Sequence, residues 1–124
     1  MLLFTSIQAQ TFYDKTNWLP DPQFRSGLTI AVTDFNGDHY PDLLRMRNGK
    51  SLEVGLMVPG DTVFVSYSTG VAHPSPAWCL VVGDVNNDGF KDIVTGGNSD
   101  QIILWKMGRD GQVIEKTILP ESNI

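Results

Sequence analysis

The chain has 124 residues, enough for one ordinary domain, with 41% hydrophobic and 19% charged residues and a formal net charge of −5. Its nine Lys and Arg are scattered, with only Arg45, Arg47 and Lys50 close together, so the clustered basic charge that nucleic acid requires is missing. One cysteine, Cys79, excludes an internal disulfide, and no apolar run approaches the ~20 residues of a transmembrane helix.

Residues 1–10, Met-Leu-Leu-Phe-Thr-Ser-Ile-Gln-Ala-Gln, look like a truncated secretory signal peptide with Ala9 as the last residue before cleavage. The positively charged start is missing, and the apolar stretch is short. The expectation is a secreted, cell-surface or periplasmic protein. Residues 11–26 read as the outer strand of a preceding or closing unit plus a linker, because Thr11-Phe-Tyr-Asp-Lys-Thr16 resembles two later strand segments. Pro20 and Pro22 stiffen that linker as Pro74 and Pro76 stiffen the next one.

Residues 27–70 and 71–120 then read as two copies of one β unit, offset by fifty positions, with 121–124 as a tail. In the first copy, strands are expected at 28–33, 42–47, 51–58 and 62–68, with hairpin turns at Asn48-Gly49 and Pro59-Gly60-Asp61. In the second they fall at 78–83, 92–95, 101–107 and 112–118. No stretch carries sustained helical periodicity. The expected fold is all-β, two four-stranded antiparallel propeller-type blades with metal loops.

Each copy carries the same acidic nonapeptide between its first two strands. The first is Asp34-Phe-Asn-Gly-Asp-His-Tyr-Pro-Asp42 and the second Asp84-Val-Asn-Asn-Asp-Gly-Phe-Lys-Asp92. Side-chain oxygens stand at positions 1, 3, 5 and 9: Asp34, Asn36, Asp38 and Asp42, then Asp84, Asn86, Asp88 and Asp92. Position 7, Tyr40 or Phe90, lends a backbone carbonyl. This spacing suits a hard cation, and calcium accepts such irregular oxygen cages more readily than magnesium. At ~4 Å each like-charge pair costs about 1 kcal/mol in water-like surroundings and about 4 kcal/mol at an effective dielectric of 20. Two divalent ions, one per loop, would offset most of the −5 charge. Metal-free Asx-turns are the plainer alternative. The loops are not EF-hands: Arg45 and Thr95 stand where a bidentate glutamate would, and the flanks are strands. His39 occupies position 6, where the second loop has Gly89, which makes the first site the more strained.

Other candidates have bland readings. His39 and His73 read as solvent-facing loop residues, and Cys79 as a buried, inert thiol. Trp78 and Trp105 read as packing between units, and Trp18 as a partially exposed aromatic. Arg45 and Arg47 read as a polar strand face or a contact to an anionic ligand.

The segments Val81-Val-Gly-Asp-Val-Asn-Asn-Asp-Gly-Phe-Lys-Asp-Ile-Val94 and Ala31-Val-Thr-Asp-Phe-Asn-Gly-Asp-His-Tyr-Pro-Asp-Leu-Leu44 resemble the FG-GAP or VCBS-type repeats of β-propeller proteins, integrin α-subunit heads among them. The resemblance covers roughly residues 11–119. It implies calcium at both loops and a non-enzymatic scaffold whose ligand is a protein or glycan. Family propellers usually have about seven blades, so two imply a fragment of a longer protein, or association to supply further blades. A propeller-based polysaccharide lyase and a structural repeat array are the alternatives. No glutamate pair, His/Asp constellation or nucleophile with its base supports the first of these.

Overall fold

The computed structural model describes residues 11–19, 29–60, 63–97 and 101–120. After a short 3-10 turn at Thr16–Trp18 come eight strands: β1 Ile30–Thr33, β2 Asp42–Arg47, β3 Ser51–Met57, β4 Phe64–Ala72, β5 Ala77–Gly83, β6 Asp92–Gly97, β7 Ile102–Met107 and β8 Val113–Ile118. They form two open antiparallel meanders, β1-β2-β3-β4 and β5-β6-β7-β8. Among the described residues no helix is long and apolar enough to cross a membrane.

Local sequence explains the strands. Valine, isoleucine and leucine recur along the strands, and Asn48 and Gly49 both take positive φ (51° and 71°) in the three-residue turn that joins Arg47 to its partner Ser51. The register places Thr33 opposite Asp42 and Gly83 opposite Asp92, so each acidic loop closes at the same point of its sheet.

One face of the first sheet carries Leu44, Met46, Leu52 and Val54, all fully buried. It shares a single core with Ile93, Ile103, Trp105 and Met107 of the second sheet. The Trp105 indole N–H donates to Thr95 Oγ1 at 2.9 Å, which satisfies its one polar atom inside that core. Backbone ties reinforce the seam. Thr29 Oγ1 donates to the Ala77 carbonyl (2.7 Å), Ala77 N–H to Gly49 (2.7 Å) and His73 N–H to Lys50 (2.8 Å).

Several expectations change. Residues 11–15 form no strand; polar Asp14-Lys-Thr-Asn17 lacks β alternation, and the chain turns so that Lys15 lies 4.7 Å from the Trp18 ring centre. Trp18 is half-buried. β4 runs on to Ala72 and β6 to Gly97. His73 is buried rather than solvent-facing, with Nδ1 at 2.8 Å from the Ser75 carbonyl and Nε2 at 3.3 Å from that of Gln101. Gly97 is required beside it, since a Cβ there would lie 2.8 Å from the His73 ring and 2.5 Å from Ser75 Oγ. Cys79 is exposed, not buried, and Trp78 is exposed rather than packed between units. A bulge between Ala77 and Cys79 inserts Trp78 as an extra residue, and the sheet face bearing Cys79 is uncovered. Arg45 is buried against Glu53 (3.2 Å), so it is part of an ion pair and not of an open polar face. Arg47 stays exposed at 3.8 Å from the same carboxylate. The expectations for residues 1–10, Pro20, Pro22, Asp61, 98–100 and 121–124 lie outside the described residues.

The seam gives an unequal pair of substitutions. Leu52→Ala removes a fully buried side chain and is expected to cost about 2–5 kcal/mol, whereas Ile102→Ala, at the matching position of the second sheet, should cost below about 1.5 kcal/mol. Urea unfolding of both variants checks this.

Candidate functional site

Both acidic loops are built by their own side chains. Asp34 accepts from the backbone N–H groups of Gly37 (2.7 Å), Asp38 (3.1 Å) and His39 (3.0 Å). Asn36 Oδ1 accepts from Asp38 N–H at 3.1 Å, and its Nδ2 donates to Asp38 Oδ2 at 2.9 Å. Asp38 Oδ1 in turn accepts from Tyr40 N–H at 2.9 Å. The second loop has the same pattern: Asp84 takes the N–H groups of Asp88 (3.1 Å) and Gly89 (2.8 Å), Asn86 bridges Asp88 from both ends of its amide, and Asp88 takes Phe90 N–H at 2.8 Å. These are Asx-type turns in series, which fold the chain tightly around its carboxylates.

The ninth residue plays another part. Asp42 is fully buried, and its two oxygens serve different segments: Oδ2 accepts from Phe35 N–H in the loop (2.8 Å) and Oδ1 from Met57 N–H at the end of β3 (3.0 Å). Asp92 does the same for Val85 (3.1 Å) and Met107 (3.1 Å). The sequence marked Asp42 and Asp92 as oxygen donors but did not reveal Met57 and Met107 as partners, which are 15 residues downstream and reached only across the sheet.

Backbone conformation is shared as well. Positions 4 and 6 are left-handed in both loops: Gly37 (φ 81°) and His39 (72°), then Asn87 (60°) and Gly89 (92°). Each loop thus has one glycine and one side-chain-bearing residue in this region. Asparagine tolerates it better than histidine, because its short amide bonds locally. The strain expected at His39 has its geometric counterpart here.

Electrostatics follow the hydrogen bonds. Desolvation is the largest single influence on Asp34 and opposes its ionisation, but the N–H groups of His39, Gly37 and Asp38 and the His39 ring together outweigh it and hold the carboxyl below its usual range. The Phe90 N–H and the Asn86 amide lower that of Asp88 against a smaller desolvation effect. Each ionised carboxylate has about four lone-pair sites, and Asp38 and Asp88 engage only some of theirs. The donor set is all oxygen, with no thiolate or imidazole among the expected ligands, so it fits a hard cation. Among the described residues no three His, Cys, Asp or Glu side chains converge into a cage. A bound ion would therefore draw on Asn36 or Asn86 and on the Tyr40 or Phe90 carbonyl. Tyr40 and Phe90 are both exposed at the loop tips.

Beside the first loop, a cleft of about 340 Å³ opens between the sheets, lined by residues 34–37, 89–91 and 107–111 together with Leu56 and Tyr67. Burial, then the nearby Asp42 and Asp110, push the Tyr67 hydroxyl pKa up, so it stays a neutral donor. Sequence reading missed this cleft, because its residues come from three separate turns. No family model, curated protein or solved structure matches the chain.

Two outcomes follow from this geometry. Asp92→Asn should cost about 1–3 kcal/mol, because one buried N–H loses its acceptor, and Asp92→Ala about twice that; denaturant unfolding in chelator measures both. A carboxyl whose folded pKa is depressed stabilises the fold above its unfolded pKa and loses that contribution as pH falls through the folded one. With chelator present, Tm is expected to hold from about pH 7 to 5 and to fall below about pH 4. Asp34→Asn and Asp88→Asn should each flatten that fall.

Proposed function

We propose that this chain is a calcium-stabilised scaffold of the FG-GAP or VCBS type, with its two sheets acting as propeller blades. In this reading it is non-enzymatic and serves protein or glycan binding outside the cell or at its surface. The observation that carries the reading is the recurrence, fifty residues apart, of one hydrogen-bond network around Asp34-Asn36-Asp38 and Asp84-Asn86-Asp88. A turn built twice to hold like charges together is best explained by a shared counter-ion.

Asp34, Asn36, Asp38 and the Tyr40 carbonyl would hold calcium in the first loop. Asp84, Asn86, Asp88 and the Phe90 carbonyl would hold it in the second. Asp42 and Asp92 complete the donor sets and fix each loop to its sheet. When bound, the ion supplies positive charge that neutralises the carboxylates. It then stabilises the native state by mass action, since only the folded turn assembles the donors.

Calorimetric titration of the metal-stripped chain with calcium, with a melting curve at each end, tests the proposal. Two binding events and a raised Tm are expected. Asp88→Ala should lower the calcium-dependent Tm gain more than Asp38→Ala, since the second loop has the better-tolerated backbone. Absence of binding by a folded chain would reduce the loops to ordinary turns. Equal losses in the two variants would defeat the ranking.

A further inference from the structure

The cleft of about 340 Å³ between the sheets is lined by groups that the acidic patterns do not use. Three of them are donors from separate segments: the Lys91 ammonium just before β6, the Tyr67 hydroxyl on β4 and the Arg109 guanidinium in the β7–β8 turn. Among the described residues none of these three has a hydrogen-bond or ion-pair partner for its side chain. The two carboxylates of the lining already have donors. Asp34 accepts three N–H groups of its own loop, and Asp110 Oδ1 accepts from Gln112 N–H at 3.1 Å. The cleft therefore has donors to spare, and an acceptor-rich, negatively charged group complements it.

The repeat does not explain these donors. Fifty positions from Lys91, Arg109 and Tyr67 stand Pro41, Pro59 and Thr117, none of which offers a cation or a phenol. The apolar part of the lining is Leu56 on β3, Met107 on β7 and the exposed Phe90. The wall opposite β4 is held in shape by its own bonds. Gly108 N–H donates to the Gln112 carbonyl (2.8 Å) and Gly111 N–H to that of Gly108 (3.0 Å), while the Gln112 side-chain amide reaches across to the Ser68 carbonyl of β4 at 3.1 Å. Gly111 has φ 72°, and a Cβ there would overlap the Tyr67 hydroxyl, so the turn closes directly onto that group. A wall fixed in this way has little freedom to lose when a ligand enters.

We propose that this cleft binds a small carboxylic acid with an apolar body, its carboxylate taken by Lys91, Arg109 and Tyr67 and its body lying against Leu56, Met107 and Phe90. The volume suits one small molecule. Arg109 can take a carboxylate through two parallel N–H bonds, Lys91 adds a point charge and Tyr67 a neutral donor. The inference goes beyond the scaffold reading, rests on the fold alone and makes no use of calcium.

NMR titration of the isotope-labelled chain with phenylacetate is the test, run in calcium and again in chelator, with circular dichroism confirming the fold of every sample. Saturable shifts are expected in both buffers at the amides of Gly89, Gly108 and Gly111. Neutral phenylacetamide, and acetate, which lacks the apolar body, should each bind about tenfold more weakly or worse. Arg109→Gln and Tyr67→Phe alter side chains outside both acidic loops and should each weaken phenylacetate about tenfold. Arg109→Gln should also narrow the gap between acid and amide. A folded chain with no saturable shift, shifts confined to other surfaces, or an amide that binds as tightly as the acid overturns the proposal. Shifts that appear only with calcium also overturn it, since they would put the carboxylate on the ion. Phenylacetate bound by a chain that takes up no calcium leaves this proposal standing while the metal reading falls.

Discussion

The structure turns on two buried carboxylates. Asp42 and Asp92 each stand at the first residue of a strand, and each bonds one backbone N–H seven residues back and another fifteen residues ahead. A single side chain thus fixes where the acidic loop ends, where the second strand begins and where the third strand stops. Ionised acceptors are the stronger kind of hydrogen-bond partner, and in a buried setting their loss leaves donors that nothing else can satisfy. The sheet and the loop are therefore not separable: the residue that completes the acidic pattern is also the one that ties the loop to the end of the third strand.

That coupling gives the acidic pattern a structural meaning before any ion is considered. Asp34 and Asp84 gather N–H groups from the residues that follow them, so both turns are closed by their own first side chain. Local donors hold the carboxyls of Asp34 and Asp88 below their usual range, so both favour the ionised form. A bound cation would favour it further. The fold and the proposed metal chemistry draw on the same oxygens, which is why metal binding and stability are expected to move together.

Much of this was legible in the sequence because it is local. Alternating apolar residues, the Asn48-Gly49 hairpin and the spacing of the acidic residues all act within a few positions. The eight strands of the two sheets follow from them. What stayed hidden depends on which faces meet. Cys79 and Trp78 sit in an apolar run that reads as core, but a bulge and an uncovered face expose both. His73 reads as a loop polar residue, yet two carbonyls, one of them 28 residues away in sequence, hold its ring inside. The Arg45–Glu53 pair shows the same gap: strand alternation puts both on one face, and nothing in the pattern says that the face is buried there.

The two loops also differ in how they are supported, and the difference follows from the single seam. Phe35 in the first loop reaches the shared core, so tertiary packing helps to hold a turn that carries His39 in a left-handed conformation. Val85 in the second loop reaches no such core and is exposed. That loop relies on its own chemistry: a glycine at position 6, an asparagine at position 4 and the hydrogen bonds of Asp84, Asn86 and Asp88. Packing compensates for poorer turn residues in one copy, and better turn residues compensate for missing packing in the other.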